Sequence, residues 1–313
     1  MRVAVVVPCW NGRRWLPALF ASLAAQTRAA DEVIVVDNGS TDGSLEWLAS
    51  SGARVVALGS NTGFAAAVNR GIAETSCPAV ALVNTDVELA PDWLECAVAR
   101  LEPGVAAVAT KMVLMRDPEV VDDAGDVLRR DGVAEQRGHG KRGAFDVPGE
   151  IWGACAGAAV YRRSAVVGVG GFDERFFAYL EDVDLALRLR LAGWRCWYEP
   201  VVARHARHGS DGSGSAPIDA LVARNTLLLV AKAFPLRWLP LVAYRQAAWL
   251  WHAARERRVR EHVGGLVGAV PLLPAMLRSR RALRREAVVP IGAAVPARPW
   301  RGPRAGGHPE APE

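Results

Sequence analysis

Four uninterrupted runs of apolar, largely β-branched residues recur through the first third of this 313-residue chain. They are Val3-Ala4-Val5-Val6-Val7, Glu32-Val33-Ile34-Val35-Val36-Asp37, Arg54-Val55-Val56-Ala57-Leu58 and Val80-Ala81-Leu82-Val83-Asn84. A run without polar alternation marks a strand covered on both faces. Helix-length stretches separate the runs, at about 13–26, 44–50 and 64–75, with another at 91–101. Strands alternating with such helices pair in parallel through right-handed crossovers. The expected fold class is therefore α/β, a Rossmann-like, mostly parallel sheet flanked by helices. The runs end in polar tips: Asn11-Gly12, Asp37-Asn38-Gly39, Asn61-Thr62-Gly63 and Asn84-Thr85-Asp86. Ligands of open parallel sheets bind beyond the carboxyl ends of the strands, so these tips are expected to share one cleft.

Hydrophobic residues make up 51% of the chain and charged residues 23%, enough for one large α/β domain with an appendage. Lys and Arg number 38 against 33 acids, and nearly all of that excess lies late in the chain. This placement argues for a local basic surface and against a nucleic-acid binder. Cys9, Cys77, Cys96, Cys155 and Cys196 are scattered without CxxC spacing, which argues against a disulfide framework or zinc site and for reduced thiols. The run that ends at Pro8 is too short for a signal-peptide core, and a cytoplasmic location is the expectation.

Residues 116–150 are Gly- and charge-rich with weak periodicity, and read as loops and short strands lying over the cleft. Order returns at Trp152, with a strand over 157–161, a helix over 181–191 and a short strand over 195–199. From Pro217 two or three helices mix Leu, Val and Trp with Arg. Between Arg237 and Arg285 there are eleven Arg and two Glu. The longest uncharged stretch there, 263–277, contains two prolines and falls short of the ~20 residues that span a bilayer.

Three constellations carry chemistry. In Asp37-Asn38-Gly39-Ser40-Thr41-Asp42-Gly43-Ser44, a carboxylate at a strand tip can accept hydrogen bonds from a nucleobase or ribose. The same residues also read as a tight turn at Asp37 and a helix cap at Asp42. In Asn84-Thr85-Asp86 an acid is placed to hold the divalent cation that a diphosphate leaving group needs, though turn chemistry alone also puts Asp there. In Glu181-Asp182-Val183-Asp184 three carboxylates open a helix directly after Phe176-Phe177-Ala178-Tyr179. A helix dipole favours acids there, but one cap suffices and three repel, so at least one is expected to be functional.

Taken in order, these segments resemble glycosyltransferase family 2. The resemblance rests on Val5-Val6-Val7-Pro8-Cys9-Trp10-Asn11-Gly12, the VVDNGSTDGS segment, Asn61-Thr62-Gly63-Phe64 with Asn69 and Gly71, Asn84-Thr85-Asp86, and Gly170-Gly171-Phe172-Asp173-Glu174 running into FFAYLEDVDLALR. It spans about residues 3–208 and is strongest to the bacterial branch that includes rhamnosyltransferases. The resemblance implies a GT-A fold and an inverting transfer of one sugar from a nucleoside diphosphate to a hydroxyl of a glycan or lipid-linked acceptor in cell-envelope polysaccharide synthesis. The first donor it points to is dTDP-L-rhamnose.

The family's roles carry over residue by residue. Asp37 resembles the nucleobase-contacting acid, with Pro8 and Asn11 in the same pocket. Asn61, Gly63, Asn69 and Asn84 fall in the nucleotide-sugar-binding motifs. Asp86 resembles the metal-binding end of the DxD motif, for Mg2+ or Mn2+. Asp182 resembles the catalytic base of the ED motif, with Glu181 beside it. His205 resembles a later metal-site histidine, with His208 as its rival. The DxD position departs from the pattern, because Asn84 adds no charge.

The expected organisation is a GT-A domain over 1–215, with its nucleotide-binding part at about 1–115 and its acceptor part at about 116–215. An amphipathic basic helical region follows over 216–286, and a disordered tail over 287–313. Trp and Arg side by side in 216–286 point to docking on an anionic membrane surface, against which stands plain packing on the domain or on a second subunit. A nucleotidyltransferase is the alternative enzyme, but Pro8-Cys9-Trp10-Asn11-Gly12 lacks the Gly-rich basic loop that a triphosphate requires. A non-catalytic nucleotide-sugar-binding protein needs no base, and the set Asp37, Asp86 and Asp182 argues against it.

Overall fold

The computed structural model describes residues 1–143, 145–207 and 218–297. The four apolar runs form β1 (Val3–Cys9), β2 (Glu32–Asp37), β3 (Arg54–Ala57) and β4 (Ala79–Val83), interleaved with α1 (Leu16–Ala24), α2 (Ser44–Leu48) and α3 (Phe64–Ala73). They lie parallel in the order β3-β2-β1-β4, with Val5 beside Val33 and Ala81. Both faces are covered, as the unbroken runs require. Val3, Val5 and Val7 pack with Leu16 and Leu19 of α1 and with Trp93 and Leu94 of α4 (Trp93–Ala99). Val6 points the other way, into a core with Ile34, Val36 and the α3 residues Ala65, Val68 and Ile72. Each Val, Leu or Ile among them contributes about 1.5–3 kcal/mol when fully buried.

Beyond β4, a short β5 (Val87–Leu89) precedes α4, and β6 (Val105–Leu114) follows it. Then come β7 (Asp117–Asp123), β8 (Asp126–Leu128), β9 (Ala134–Gln136), β10 (Gly149–Ile151), β11 (Ala158–Arg162), α5 (Arg163–Gly168), α6 (Glu181–Leu191) and β12 (Arg195–His205). The sheet continues from β4 through antiparallel β11 to β6, β12 and β10. Six of the eight strands on this path run the same way, so the carboxyl ends of β1, β2, β3, β4, β6 and β12 lie along one edge.

Two expectations change. The 116–150 segment does contain short strands, but Val121–Leu128 is core and not a cover over the cleft: Val121, Asp122, Asp123, Ala124 and Leu128 are all at most 1% exposed. Its many charges hid that burial from a periodicity reading. The disordered tail expected from 287 does not begin there either. A short α11 (Ile291–Ala294) packs back on the body, with Ala294 and Val295 buried. The carbonyls of Gly292, Ala294 and Val295 accept from Arg130 and Trp152, and the Val288 N–H donates to Leu191. Residues 298–313 of that expected tail lie outside the described residues.

The C-terminal helices are α7 (Ile218–Ala233), α8 (Leu239–Arg255), α9 (Val259–Ala269), α10 (Leu273–Glu286) and α11. Among the described residues no helix is long and apolar enough to cross a membrane. Helix α7 is built into the body. Its Leu228, Leu229 and Val230 share a core with Trp152, Phe176 and the α6 residues Val183 and Leu187. Helix α6 is thus packed on two sides, with Leu185 and Leu189 against the sheet layer.

A buried ion network crosses the α6–α7 contact. The Lys232 ammonium, 4% exposed, lies 2.7 Å from both Asp173 and Asp184, and Arg188 donates to Asp184 at 2.7 Å. Arg175 adds a second cation to Asp173 at 2.5 Å. The carboxyl of Asp173, although penalised by burial, is held well below the usual carboxylate range by Arg175 and Lys232. Removing one member of such a network leaves its partners charged and dry. Lys232→Ala is expected to destabilise the protein by about 3–5 kcal/mol in denaturant titrations, far more than the truncation of an exposed Lys.

Candidate active site

The tips of β1 and β2 are laced together by short polar contacts. Pro8 is in register with Val36, and Cys9 with Asp37. Asn11, left-handed at φ 52°, donates its N–H to Ser40 Oγ at 2.9 Å and accepts from the Thr41 N–H at 2.9 Å. Gly12 N–H donates to Ser44 Oγ, and Arg13 N–H to Asp42. Asp37 Oδ2 accepts from the Gly39 and Ser40 N–H groups at 3.1 Å each, the tight turn that its sequence allowed. Its Oδ1 has no hydrogen-bond partner, and the side chain is closed off from solvent. Gly39 is required here: at φ 79° its Cβ would sit 2.6 Å from the Ser60 backbone. Asp42 accepts from the Ser44 N–H two residues on, a turn contact, and the residue that caps α2 is Gly43, not Asp42.

A residue that the motif reading passed over joins this tip to the next. Asn38 donates to Asn61 Oδ1 and to the Gly63 carbonyl, both at 3.1 Å, and accepts from the Thr62 N–H and hydroxyl. Gly63 begins α3 at φ 91°, and a Cβ there would meet the Phe177 ring at 2.5 Å. Asn69 lies further along α3, away from the strand tips. Its amide donates to the Phe172 carbonyl and Glu174, and accepts from the Phe172 N–H, which ties α3 to the Gly170-Gly171 turn.

The second half of the site gathers around β4, β11 and β12. Asn84 N–H donates to the Gly157 carbonyl at 2.8 Å, which brings the β4 tip to the start of β11. Asp86 is buried, and its carboxylate lies 3.2 Å from His205 Nε2, at the end of β12. The other imidazole nitrogen, Nδ1, lies 2.7 Å from Asp122 Oδ2, at the end of β7. Burial alone would lower the pKa of His205. Hydrogen bonds to Asp122 and Asp86 outweigh that and push it up to about 9. The imidazole is therefore cationic at neutral pH and donates to both acids. Burial would raise the Asp122 carboxyl, but His205, Arg207 and His139 bring it below its ordinary value. Asp122 was missed because its surroundings read as loop. The available signal was Val120-Val121 running into Asp122-Asp123, an acid pair on the end of an apolar run. His208 lies outside the described residues.

Next to this triad sits a group of four carboxyls: Asp123, Asp126, Glu181 and Asp182. Burial and the neighbouring acids Asp122 and Asp182 push Asp123 up to about 7. Burial, then Asp182 and the other acids, drive Asp126 well above the usual carboxylate range, and burial and Asp182 do the same to Glu181. Glu181 is 5% exposed with its Oε2 unpartnered, which suits a neutral acid. Asp182 is the half-buried member. Burial raises its pKa too, opposed by N–H donors from Ala156 at 3.2 Å and Val183 at 2.8 Å. Like charges this close cannot all ionise. The charge belongs on Asp182, which alone has two backbone donors and access to solvent. The three acids at the start of α6 thus divide: Asp184 is paired inside the fold, Glu181 is buried, and Asp182 is partly exposed.

The His205 pair gives a pH signature. A histidine whose folded pKa is raised contributes stability fully present below its ordinary 6.5 and lost as pH rises through about 9. In metal-free protein, the His205 ring signal is expected to titrate near pH 9, and Asp122→Asn is expected to bring that midpoint down toward 6.5. Titration near 6.5 in the unaltered protein would contradict the arrangement.

Comparison with known proteins identifies the family. The model of the family described as Glycosyl transferase family 2 matches residues 4–169, more than half of the chain. The N-acetylglucosaminyl-diphospho-decaprenol L-rhamnosyltransferase of Mycobacterium tuberculosis is 32% identical over 278 residues, covering 75% of this chain and 87% of that protein. A pre-mycofactocin glycosyltransferase of the same species is 34% identical over 204 residues, covering 64% of this chain and 41% of that one. Among solved structures, the fold is shared with mannosyltransferase PcManGT from Pyrobaculum calidifontis in complex with GDP-Man and Mn2+. That likeness has a TM-score of 0.53 at 20% identity, covering 91% of this chain and 80% of that one. It is shared also with S. aureus TarS 1-349 in complex with UDP, at a TM-score of 0.53 and 17% identity, covering 90% and 92%. A parallel sheet with its polar tips on one edge, a half-buried carboxylate beside them and these relatives lead to one assignment: the chain is a GT-A glycosyltransferase and belongs to glycosyltransferase family 2.

Proposed function

We propose that this enzyme moves L-rhamnose from dTDP-L-rhamnose to a hydroxyl of a glycan or lipid-linked acceptor, with inversion at the anomeric carbon. The observation that carries the chemistry is Asp182. It is a half-buried carboxylate with a raised pKa, fixed by two backbone donors at the edge where the strand tips meet. Such a group suits a general base better than a freely solvated Asp. Asp182 takes the acceptor proton as the hydroxyl oxygen bonds to the anomeric carbon, and the bond to the diphosphate breaks with its electron pair on the leaving group. Glu181, neutral and buried beside it, keeps a second negative charge out of the pocket. The rhamnosyl donor is supported by the 32% identical relative named as an L-rhamnosyltransferase.

Asp86 and His205 would hold a divalent cation, Mg2+ or Mn2+, as a carboxylate and a neutral imidazole, with Nε2 giving up the proton that it donates to Asp86 in metal-free protein. Asp122 fixes the ring from behind and supplies the second acid that Asn84 does not. When bound, the cation supplies counter-charge to the departing diphosphate. Pro8, Asn11, Asp37, Asn38 and Asn61 form the wall for the nucleotide. Asp37 is sealed, so a base that uses its Oδ1 has to open the Gly39-Ser40 turn.

The outer faces of α8 to α10 suit an anionic membrane surface, where a lipid-linked acceptor is presented. Trp251 is 62% exposed and Tyr244 73%, close in sequence to the exposed Arg255, Arg257 and Arg260. Val267, Val270 and Leu277 are exposed as well, before Arg281, Arg284 and Arg285. Not every residue of the expected patch faces out. Trp238 is buried against Phe234, Arg245 pairs with Asp131, and Arg280 donates to the Ala231 and Phe234 carbonyls. Each exposed Arg contributes about 1 kcal/mol near such a surface.

Asp182→Asn is expected to lower turnover by roughly a hundred-fold to ten-thousand-fold with donor binding nearly intact. Substantial turnover by the folded variant would remove Asp182 from the role. Asp86→Ala is expected to weaken donor binding and abolish its metal dependence together, whereas Asp37→Ala weakens the nucleotide alone. Chelator-insensitive turnover of the unaltered enzyme would refute the metal assignment. Co-sedimentation with anionic vesicles is expected to fade as salt rises. Equal binding to neutral vesicles would count against docking by charge.

A further inference from the structure

Helix α7 reaches back to the backbone that presents Glu181 and Asp182. In the turn just before them, Phe177, Tyr179 and Leu180 all take positive φ, at 64°, 68° and 66°. None is Gly, Asn or Asp, the residues that tolerate this conformation. Backbone of this kind persists only where its surroundings hold it. Here the carbonyls of the turn converge on one side chain. The amide nitrogen of Asn225, fully buried on α7, lies 2.9 Å from the Phe176 oxygen, 2.8 Å from that of Ala178 and 2.6 Å from that of Tyr179. Its orientation is set by Arg224, whose Nε donates to Asn225 Oδ1 at 3.0 Å and whose guanidinium donates to the Arg175 and Phe176 carbonyls at 2.8 Å. On the opposite side, the Phe177 carbonyl accepts from the Ala65 N–H at 3.1 Å, at the start of α3.

We propose that Asn225, seated by Arg224, is a positioning residue for sugar transfer, holding the strained 177–180 turn so that Asp182 faces the cleft. This rests on the reading of Asp182 as the base. An apolar residue would fill the same space on α7 without the desolvation cost of an amide. What the amide adds is a fixed set of donors for carbonyls that the turn directs inward, away from water. The turn is also where the nucleotide wall and the C-terminal helices meet, since Phe177 packs on Gly63 while Asn225 holds the same loop from α7.

The test uses full-length Asn225→Ala beside Asp182→Asn, with dTDP as the binding probe and dTDP-L-rhamnose as donor. Expected for Asn225→Ala is a dTDP affinity within about twofold of the unaltered enzyme, with turnover lower by at least about tenfold, as misplacement of a reacting group produces. Faster amide exchange confined to residues 176–184 is expected as well. Leu180→Asn tolerates left-handed backbone, and in the Asn225→Ala background it is expected to recover several-fold of the lost turnover. Unchanged exchange over 176–184, or equal losses of dTDP affinity and turnover, overturns the proposal. Should Asn225→Ala fail to fold, Arg224→Ala, a partly exposed position, is read in the same way, and unchanged exchange there also overturns it. Retained turnover in Asp182→Asn sinks the base assignment instead, while the exchange data still report whether Asn225 holds the turn.

Discussion

The placement of helix α6 governs most of this molecule, and that placement depends on a charge buried behind it. Leu185 and Leu189 fasten α6 to the sheet layer, but apolar contacts alone leave a helix free to slide or rotate among similar packings. Asp184 removes that freedom. Its carboxylate is held between Arg188 of the same helix and Lys232 of α7, and Lys232 reaches on to Asp173 in the segment that leads into the site. A dry ion network is satisfied in one geometry only, because any displacement leaves an unpaired charge in a low dielectric. The glycosyltransferase site is therefore set by a contact on the far side of the helix that carries it.

The site is crowded with like charges, and the structure handles them in two ways. Around His205, acid and base alternate, Asp86 on one ring nitrogen and Asp122 on the other. Around Asp182, burial and the neighbouring acids drive Asp123, Asp126 and Glu181 toward the neutral form. One region thus holds a charged histidine poised between acids, and the next holds one ionised carboxylate against neutral ones. Both arrangements come from the edge geometry of the sheet. The ends of β7 and β12, the start of β11 and the start of α6 arrive together, and each brings an acid, a base or a backbone donor.

The C-terminal helical region is joined to the sheet domain through packing. Helix α7 shares a core with α6, α11 returns to cap Trp152 and Arg130, and α8 to α10 keep apolar and basic side chains on their outer faces. A boundary near residue 216 is visible as a change of composition but not as a break in packing. Composition reports what a segment exposes on average, whereas cohesion depends on a few inward residues such as Leu228, Leu229 and Phe234.

The parallel core is legible in the order of residues, because unbroken runs such as Val3–Val7 bury on both faces, and so are the polar tips, because strand ends have to stop somewhere wet. The sequence also marked Asp182 and Asp86 through ordered motifs. It did not show Asp122, Asn38 or Asn225, nor that Asn69 holds a turn instead of lining the strand tips. Those assignments depend on partners distant in the chain: His205 for Asp122, Gly63 for Asn38, Phe176 and Tyr179 for Asn225, and Phe172 for Asn69. Periodicity is a local property and survives in one dimension. Which buried polar group meets which partner is a long-range property, and only the folded chain decides it.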